Sequence, residues 1–169
     1  MNSDKVSLIV GPFGAGAKDL ITSDVEAARS DSRASRSLPS PIHVVAGALF
    51  DTQGRVLIAQ RPAGKHMAGS WEFPGGKLNA GEERLAGLKR ELSEELGIAV
   101  LEAAPVIAYE HSYMDRHVRL DLWAVARFEG KPQSLEGQAL RWVEVAELED
   151  AGLLDADRPM VRALLALRG

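Results

Sequence analysis

The sequence predicts an α/β domain that follows an N-terminal segment of different composition. Runs of apolar and β-branched residues, separated by turn signals, predict β-strands. Two other stretches predict helices, because one repeats leucine at helical spacing and the other opens on Asp-Arg-Pro near the end of the chain. With 169 residues, the chain has room for one ordinary domain and a tail.

The first forty residues are rich in serine and contain the run Ser-Asp-Ser-Arg-Ala-Ser-Arg-Ser, which ends at Ser37. Little of this segment can be buried, so we predict a flexible segment over residues 1–40 and a domain over residues 41–169. Gly11, Gly16 and Lys18 fall short of a phosphate-binding loop, because that motif requires lysine directly after its second glycine.

The composition excludes several classes of protein. A formal net charge of −4 argues against a general nucleic-acid binder. The absence of cysteine excludes disulfides and thiolate metal sites. No apolar run approaches the roughly 18 residues of a membrane span. From the charge and the hydropathy we expect no stable nucleic-acid binding and no membrane association. We further expect the protein to be cytoplasmic and monomeric.

The first half of the domain combines two predicted strands with a helix. Residues 42–50 are apolar, the turn signal Asp-Thr-Gln-Gly follows, and residues 55–60 are apolar again, so we predict a β-hairpin. Residues 82–96 form the predicted helix, with leucines on one stripe and Gly97 as its stop signal.

The second half continues with strands and ends in a helix. Residues 106–113 and 118–128 are strand-like and are linked by a short polar segment, and residues 140–145 form a further short strand. A last helix should run from Asp157 to residue 167, because Pro159 suits a first helical turn.

The predicted helix over residues 82–96 carries Glu91, Glu94 and Glu95 on one face, because they are spaced by three and four positions. Clustered carboxylates repel one another, and their oxygen ligands select Mg²⁺, Mn²⁺ or Ca²⁺ rather than zinc. A solvated acidic helix face is the common alternative. The preceding Phe-Pro-Gly-Gly loop at residues 73–76 favours a metal, because its glycines indicate close backbone approach or positive φ.

These residues also match a known motif. Gly76, Glu82 and the run Arg90-Glu91-Leu92-Ser93-Glu94-Glu95-Leu96-Gly97-Ile98 have the spacing of the full Nudix box, with no position missing. From about residue 44 to residue 167 the chain resembles the Nudix family, and within it the MutT-type branch, which hydrolyses oxidised guanine nucleoside triphosphates. The resemblance implies an α/β/α sandwich with a mixed β-sheet.

The resemblance also implies a metal site. Glu91, Glu94 and Glu95 would bind the catalytic Mg²⁺ ions, for which Mn²⁺ could substitute, with the Gly75 carbonyl as a further ligand. Glu136 matches an additional metal-binding glutamate of the MutT branch, whereas on its own it would be explained as a surface acid in a turn, and only the match makes the two interpretations equal.

Two further roles come from the same match. Glu82 and Arg90 would pair and orient the acidic face. The residue that deprotonates the attacking water is left open by the sequence, and Glu91 is our candidate because a base must lie within hydrogen-bond reach of that water.

Six positions match residues that line the nucleotide pocket in MutT-type proteins. They are Arg61, His66, Phe73, Asp115, Arg116 and Asp157. Arg61 follows an apolar strand, so a phosphate or a sugar is a reasonable partner for its charge. Others have simpler explanations: a histidine in a loop is commonly solvated, an aromatic beside a tryptophan is commonly core, and charged hairpin tips are commonly solvated.

Asp157 departs from the family pattern, because the best-known members carry asparagine there. An amide donates to O6 of 8-oxoguanine and accepts from its N7–H, whereas a carboxylate repels O6 unless it is protonated. Asp157 is also suited to cap the last helix, and the two interpretations are compatible.

The resemblance as a whole implies a Mg²⁺-dependent pyrophosphohydrolase. Its expected reaction converts 8-oxo-dGTP to 8-oxo-dGMP and pyrophosphate, which would remove oxidised nucleotides from the pool and avoid mutation. Another nucleotide, such as a pyrimidine triphosphate or a dinucleoside polyphosphate, is an alternative substrate. A non-catalytic nucleotide-binding module is a third interpretation, against which the intact box argues.

Overall fold

The computed structural model describes residues 40–167. The prediction of a flexible segment over residues 1–40 therefore lies, apart from its last residue, outside the described residues. In the part of the chain that is described, no helix is long and apolar enough to cross a membrane.

Within that range the chain forms seven strands, two α-helices and two short 3₁₀ helices. The 3₁₀ helices cover Val145–Asp150 and Asp155–Asp157. The other elements are β1 (Ile42–Leu49), β2 (Val56–Gln60), β3 (Trp71–Glu72), β4 (Gly75–Lys77), α1 (Arg84–Leu96), β5 (Ala99–Ser112), β6 (His117–Glu129), β7 (Leu140–Val143) and α2 (Arg158–Ala166).

The strands form two sheets. The larger is mixed and has the order β4-β1-β6-β5, with β1 parallel to β6 and antiparallel to β4. The smaller is antiparallel and has the order β3-β2-β7. The prediction of a mixed sheet is confirmed, while the second sheet is a feature that the sequence did not reveal.

The two helices pack on opposite faces of the mixed sheet and create two cores. On one face, Leu88 and Leu92 of α1 are fully buried against Val45 of β1 and its neighbours. On the other, Met160 and Leu164 of α2 are buried against the opposite side of β1 and β6. The alternation of side chains along each strand supplies both faces. The predicted α/β/α sandwich is confirmed.

The prediction that the first two strands form a hairpin is wrong. Both edges of β1 are occupied, one by β4 and the other by β6, so β2 joins the smaller sheet instead. Only a single bridge, between Phe50 and Val56, remains where the hairpin was expected.

The other predicted elements differ mainly at their ends. Helix α1 begins two residues later than expected, with Glu83 as its N-cap, and ends as predicted before Gly97 in a left-handed conformation. Strand β5 begins at Ala99 rather than at residue 106, because register shifts let it follow β6 through Pro105. The short strands β3 and β4 were not predicted.

Candidate active site

A cavity of about 580 Å³ opens on the α2 side of the mixed sheet. Its apolar wall comes from β1 and β6, through side chains such as Val44 and Leu120, and its polar wall comes from β3, β4 and α1. Cavities of this size accommodate small-molecule ligands. Acidic side chains line it in two places: Glu91 and Glu95 beside β4, and Asp157 beside α2.

The glycines of β4 are required for this arrangement. At Gly75, where φ is 150°, a Cβ atom would lie 2.1 Å from the backbone oxygen of Val45. At Gly76 it would lie 2.2 Å from Oε2 of Glu91. At Gly75 the backbone of β1 excludes any side chain, whereas at Gly76 a side chain would have to displace the Glu91 carboxylate. The prediction of close backbone approach in this loop is confirmed at Gly75.

The predicted pair between Glu82 and Arg90 is present. Arg90 donates from Nε to Oε1 of Glu82 at 2.8 Å and from Nη2 to Oε2 at 2.7 Å. This bidentate hydrogen bonding is the main reason that the pKa of Glu82 falls to about 2. Nη1 of Arg90 also donates to Glu91 at 2.7 Å and to Glu94 at 3.3 Å, so one guanidinium group holds three carboxylates.

Glu95 is half-buried, like Glu91, and is the second of the predicted metal-binding helix acids that line the cavity. Its Oε2 accepts a hydrogen bond from the backbone N–H of Gly75 at 2.9 Å. The pKa of Glu95 is raised to about 7, mainly by burial: the Gly75 N–H opposes the rise, and the charges of Glu136, Glu72 and Glu91 add to it. This carboxylate therefore lies in a site with excess negative charge.

The remaining acids of the predicted metal site are more exposed. Glu136 lines the cavity, and its Oε2 lies 3.5 Å from Nζ of Lys65. Glu94 does not line the cavity, and its side chain is 57% exposed. Among residues 40–167, no group of three acidic or histidine side chains is arranged so that it could hold a metal ion without rearrangement. The carboxylates instead face Arg90, Lys65 and a backbone N–H.

The donor set nevertheless fits a hard divalent cation. Glu91, Glu95 and Glu136 offer only oxygen atoms, and the backbone of Gly75 lies against Glu95. Burial and, after it, the charges of the neighbouring acids raise the pKa of Glu95, and a cation at this end of the cavity would offset both effects. The predicted ligand set remains a prediction.

Asp157 lies at the other acidic end and is only 5% exposed. The prediction that its side chain caps the last helix is wrong. Its backbone is already helical, at φ −87° and ψ −8°, because a 3₁₀ helix leads directly into α2, and its side chain makes no capping hydrogen bond. The carboxyl faces the cavity and the backbone N–H of Phe73 instead.

The surroundings of Asp157 favour its neutral form. Burial raises its pKa to about 7, the charge of Glu72 adds to this effect, and the Phe73 N–H and Arg61 oppose it. A neutral carboxyl group both donates and accepts a hydrogen bond, whereas an ionised one only accepts. Near neutral pH, Asp157 can therefore present the same donor and acceptor pair as an amide.

Most of the other residues predicted to bind substrate also line the cavity. Arg61, His66, Phe73 and Arg116 do so. Asp115 does not: it is exposed and pairs with Nη2 of Arg116 at 2.8 Å. Arg61 donates from Nε to the backbone oxygen of His66 at 2.7 Å, which fixes the direction of its guanidinium group.

The sequence analysis missed several cavity residues, and Glu72 and Tyr113 are two of them. Glu72 forms an ion pair with Nη1 of Arg61. Tyr113 packs edge-on against His66, with the ring centroids 5.8 Å apart. Tyr113 ends a predicted strand and is aromatic, so its position gave some indication. Glu72 directly precedes the glycine loop, but no motif position marks it.

Comparisons with known proteins agree with this geometry. The family model described as "NUDIX domain" matches residues 45–163. A CTP pyrophosphohydrolase of Escherichia coli is 41% identical over 127 residues, which are 75% of this chain and 93% of that protein. An 8-oxo-dGTP diphosphatase of the same organism is 33% identical over 126 residues, which are 75% of this chain and 98% of that protein.

A solved structure shows the same similarity in three dimensions. It is a MutT structure from work on the Aliivibrio salmonicida and Vibrio cholerae proteins. It superposes with a TM-score of 0.67 at 37% identity, and the match covers 75% of this chain and 98% of that one.

Proposed function

The chain belongs to the Nudix family and is a hydrolase of MutT type, and from this premise we propose that it is a Mg²⁺-dependent pyrophosphohydrolase of nucleoside triphosphates, with 8-oxo-dGTP as its first candidate substrate. The observation that supports this proposal is the cavity, which has an acidic, cation-fitting end at Glu91 and Glu95 and a buried carboxyl at Asp157 at the other. A nucleotide likewise has a polyanionic end and a base with donors and acceptors.

The helix acids would perform the hydrolysis. Glu91, Glu94, Glu95 and Glu136, with the carbonyl of Gly75, would hold the Mg²⁺. The bound ion supplies charge neutralisation of the phosphate oxygens and lowers the pKa of water. Mn²⁺ has the same preference for oxygen ligands and is expected to substitute.

The chain's own residues position the proton acceptor. Glu91 is held at 2.7 Å by Arg90, which Glu82 anchors in turn. We assign Glu91 as the group that accepts the proton of the water that attacks the β-phosphorus. The bond between the β-phosphorus and its bridging oxygen to the α-phosphate breaks, and the products are a nucleoside monophosphate and pyrophosphate.

Asp157 would recognise the base. As a neutral acid it donates to O6 of 8-oxoguanine and accepts from N7–H. Guanine presents acceptors at both O6 and N7, so only one of these bonds forms and a lone pair faces the carbonyl oxygen. Losing one buried hydrogen bond costs about 1–3 kcal/mol, which is roughly ten- to a hundredfold in discrimination.

CTP is a second candidate, and the same observation favours it. The N4 amino group of cytosine donates and its N3 accepts, so a neutral Asp157 satisfies this edge as well. The CTP pyrophosphohydrolase of Escherichia coli is among the relatives at 41% identity.

A substrate panel tests the proposal. Purified full-length protein with Mg²⁺ would be given 8-oxo-dGTP, dGTP, CTP and dCTP, and pyrophosphate and orthophosphate release would be scored separately. We expect pyrophosphate with a nucleoside monophosphate, and a kcat/KM for 8-oxo-dGTP at least ten times that for dGTP. A ratio near one, with CTP preferred, would replace the first candidate by the second. Release of orthophosphate alone would refute the reaction.

Asp157→Ala provides the matched test of base recognition. If the carboxyl contacts the base, the ratio of kcat/KM for 8-oxo-dGTP to that for dGTP should fall towards one. Asp157→Asn should retain the ratio, because the amide keeps both a donor and an acceptor. An unchanged ratio in Asp157→Ala would remove this residue from base recognition.

A further inference from the structure

Gln138 is a buried polar residue that the proposed reaction does not use. It is only 5% exposed and lies in the loop between β6 and β7. Its Nε2 donates to the backbone carbonyl of Glu95 at 3.1 Å. Its Oε1 accepts from the backbone N–H of Glu136 at 3.0 Å and from Oγ of Ser134 at 3.2 Å. One side-chain amide therefore joins a helix residue and a loop residue that are both proposed to hold the Mg²⁺.

The same loop completes the C-terminal end of α1. This helix ends at Leu96, and the last carbonyl groups of a helix have no partner within it. The N–H of Gln133 donates to the Leu96 carbonyl at 3.0 Å, and the N–H of Leu135 donates to the Glu95 carbonyl at 3.1 Å. The Glu95 carbonyl thus accepts from both Leu135 and Gln138. The loop is therefore fixed to the helix at the residue that supplies a predicted ligand.

The side chains of Glu95 and Glu136 repel each other, so their approach needs support from the rest of the chain. Both line the cavity, and the charge of Glu136 helps to raise the pKa of Glu95. The Glu136 side chain is 45% exposed, and its contact at 3.5 Å with Lys65 lies on the protein surface. Such a contact holds a side chain only weakly. The backbone of Glu136, by contrast, is held by the hydrogen bond from its N–H to the buried Gln138 amide.

We propose that Gln138 is a positioning residue of the metal site, whose amide holds Glu136 beside Glu95 so that both carboxylates reach one cation-binding region. This inference rests on the proposed function, in which these two acids hold Mg²⁺. Gln138 does not line the cavity, so it acts through the two acids. Residues that orient metal ligands in this way typically contribute roughly ten- to a hundredfold in metal affinity, because the ligands are already in place before the ion binds.

A double-mutant cycle on metal binding isolates this role. Mg²⁺ alone is titrated calorimetrically into full-length, nucleotide-free wild type, Gln138→Met, Glu136→Gln and the double variant. Methionine has nearly the length of glutamine, but it donates no hydrogen bond and accepts only weakly. Gln133→Met is the matched control, because it makes the same change in the same loop at an exposed side chain and keeps the backbone hydrogen bond to Leu96.

Gln138→Met should weaken Mg²⁺ binding about tenfold or more when Glu136 is present. In the Glu136→Gln background the same change should weaken binding by less than about threefold, because no loop carboxylate remains to be positioned. Gln133→Met should bind Mg²⁺ as wild type does. In the metal-free protein, NMR should show that the N–H of Glu136 exchanges with solvent at least about tenfold faster in Gln138→Met than in wild type.

Two results would overturn the inference. Equal weakening with and without the Glu136 carboxylate would show that Gln138 only supports the end of α1. Unchanged Mg²⁺ affinity in Gln138→Met would show that the ligands need no such support. If Gln138→Met fails to fold, Gln138→Asn takes its place with the same expected pattern, because its amide is one methylene too short to join both residues.

Failure of the proposed function gives different results. A wild type that binds Mg²⁺ but releases no pyrophosphate from any nucleotide refutes the proposed reaction, while the cycle still decides the role of Gln138. A wild type without measurable Mg²⁺ binding refutes the metal site and, with it, this inference.

Discussion

Replacing Asp157 with asparagine should stabilise the metal-free protein, and the gain should grow as pH rises. Burial raises the pKa of this carboxyl from 3.8 to about 7. Between these values the folded protein binds the proton that the unfolded chain has released, so stability is lost as pH rises through this interval. The amide has nearly the same shape and carries no charge, so Asp157→Asn does not lose this stability.

The expected magnitude follows from the two pKa values. Well above pH 7 the ionised, buried carboxylate destabilises the fold by about 4 kcal/mol. At pH 5 the unfolded chain has already ionised while the folded protein has not, and roughly 2 kcal/mol of the loss is present. The difference in free energy of unfolding between Asp157→Asn and wild type should therefore increase by roughly 2 to 3 kcal/mol from pH 5 to pH 8.

Urea unfolding at pH 5, 6, 7 and 8, with EDTA and without nucleotide, measures this difference. Groups that titrate equally in both proteins cancel when one curve is subtracted from the other. Asp155→Asn is the control, because Asp155 lies in the same 3₁₀ helix and its side chain is 81% exposed. Its difference from wild type should not change with pH. A constant difference for Asp157→Asn, within the error of the linear extrapolation, would refute the assignment of a buried, readily protonated acid.

Three other substitutions test the acidic end of the cavity. Glu95→Gln and Glu94→Gln should each lower turnover by several powers of ten with an unchanged circular dichroism spectrum. Near-normal activity in both would contradict the catalytic assignment. Glu95→Gln should also raise the melting temperature of the metal-free protein, because it removes a buried charge among like charges. Gly76→Ala should lower kcat about tenfold or more and weaken the Mg²⁺ binding measured by calorimetry, because its Cβ would displace the Glu91 carboxylate. Unchanged Mg²⁺ binding would contradict this reasoning.

The local features of the fold were predictable, and the pairing of strands was not. The leucine stripe of α1 and its glycine stop depend on neighbouring residues only, and both are confirmed. The partner of β1 depends on β4 and β6, which come more than 25 and 65 residues later in the chain. Nothing in the turn after β1 reveals that both edges of that strand are already occupied. Strands of two or three residues, such as β3, are also too short for periodicity to detect.

The residues of the site were also predictable only where they belong to a motif of fixed spacing. The residues of the Nudix box have fixed spacing, so Glu82, Arg90 and Glu91 were identified before their contacts were known. Glu72 has no such spacing, because its place in the cavity depends on residues that are distant in sequence. The predicted cap at Asp157 failed because a 3₁₀ helix precedes it, which puts its backbone in the helical region and leaves its side chain free for the cavity.

The edge of the mixed sheet explains how acidic residues of α1, which packs on one face of the sheet, line a cavity on the other face. Helix α1 packs on the face opposite to α2, yet Glu91 and Glu95 line the cavity on the α2 side. They reach it past β4, which is the edge strand and only three residues long. Two of these residues are glycines, and a Cβ on Gly76 would occupy the position of the Glu91 carboxylate. The missing side chains of β4 are therefore a condition for bringing the acids of α1 to a substrate bound across the sheet.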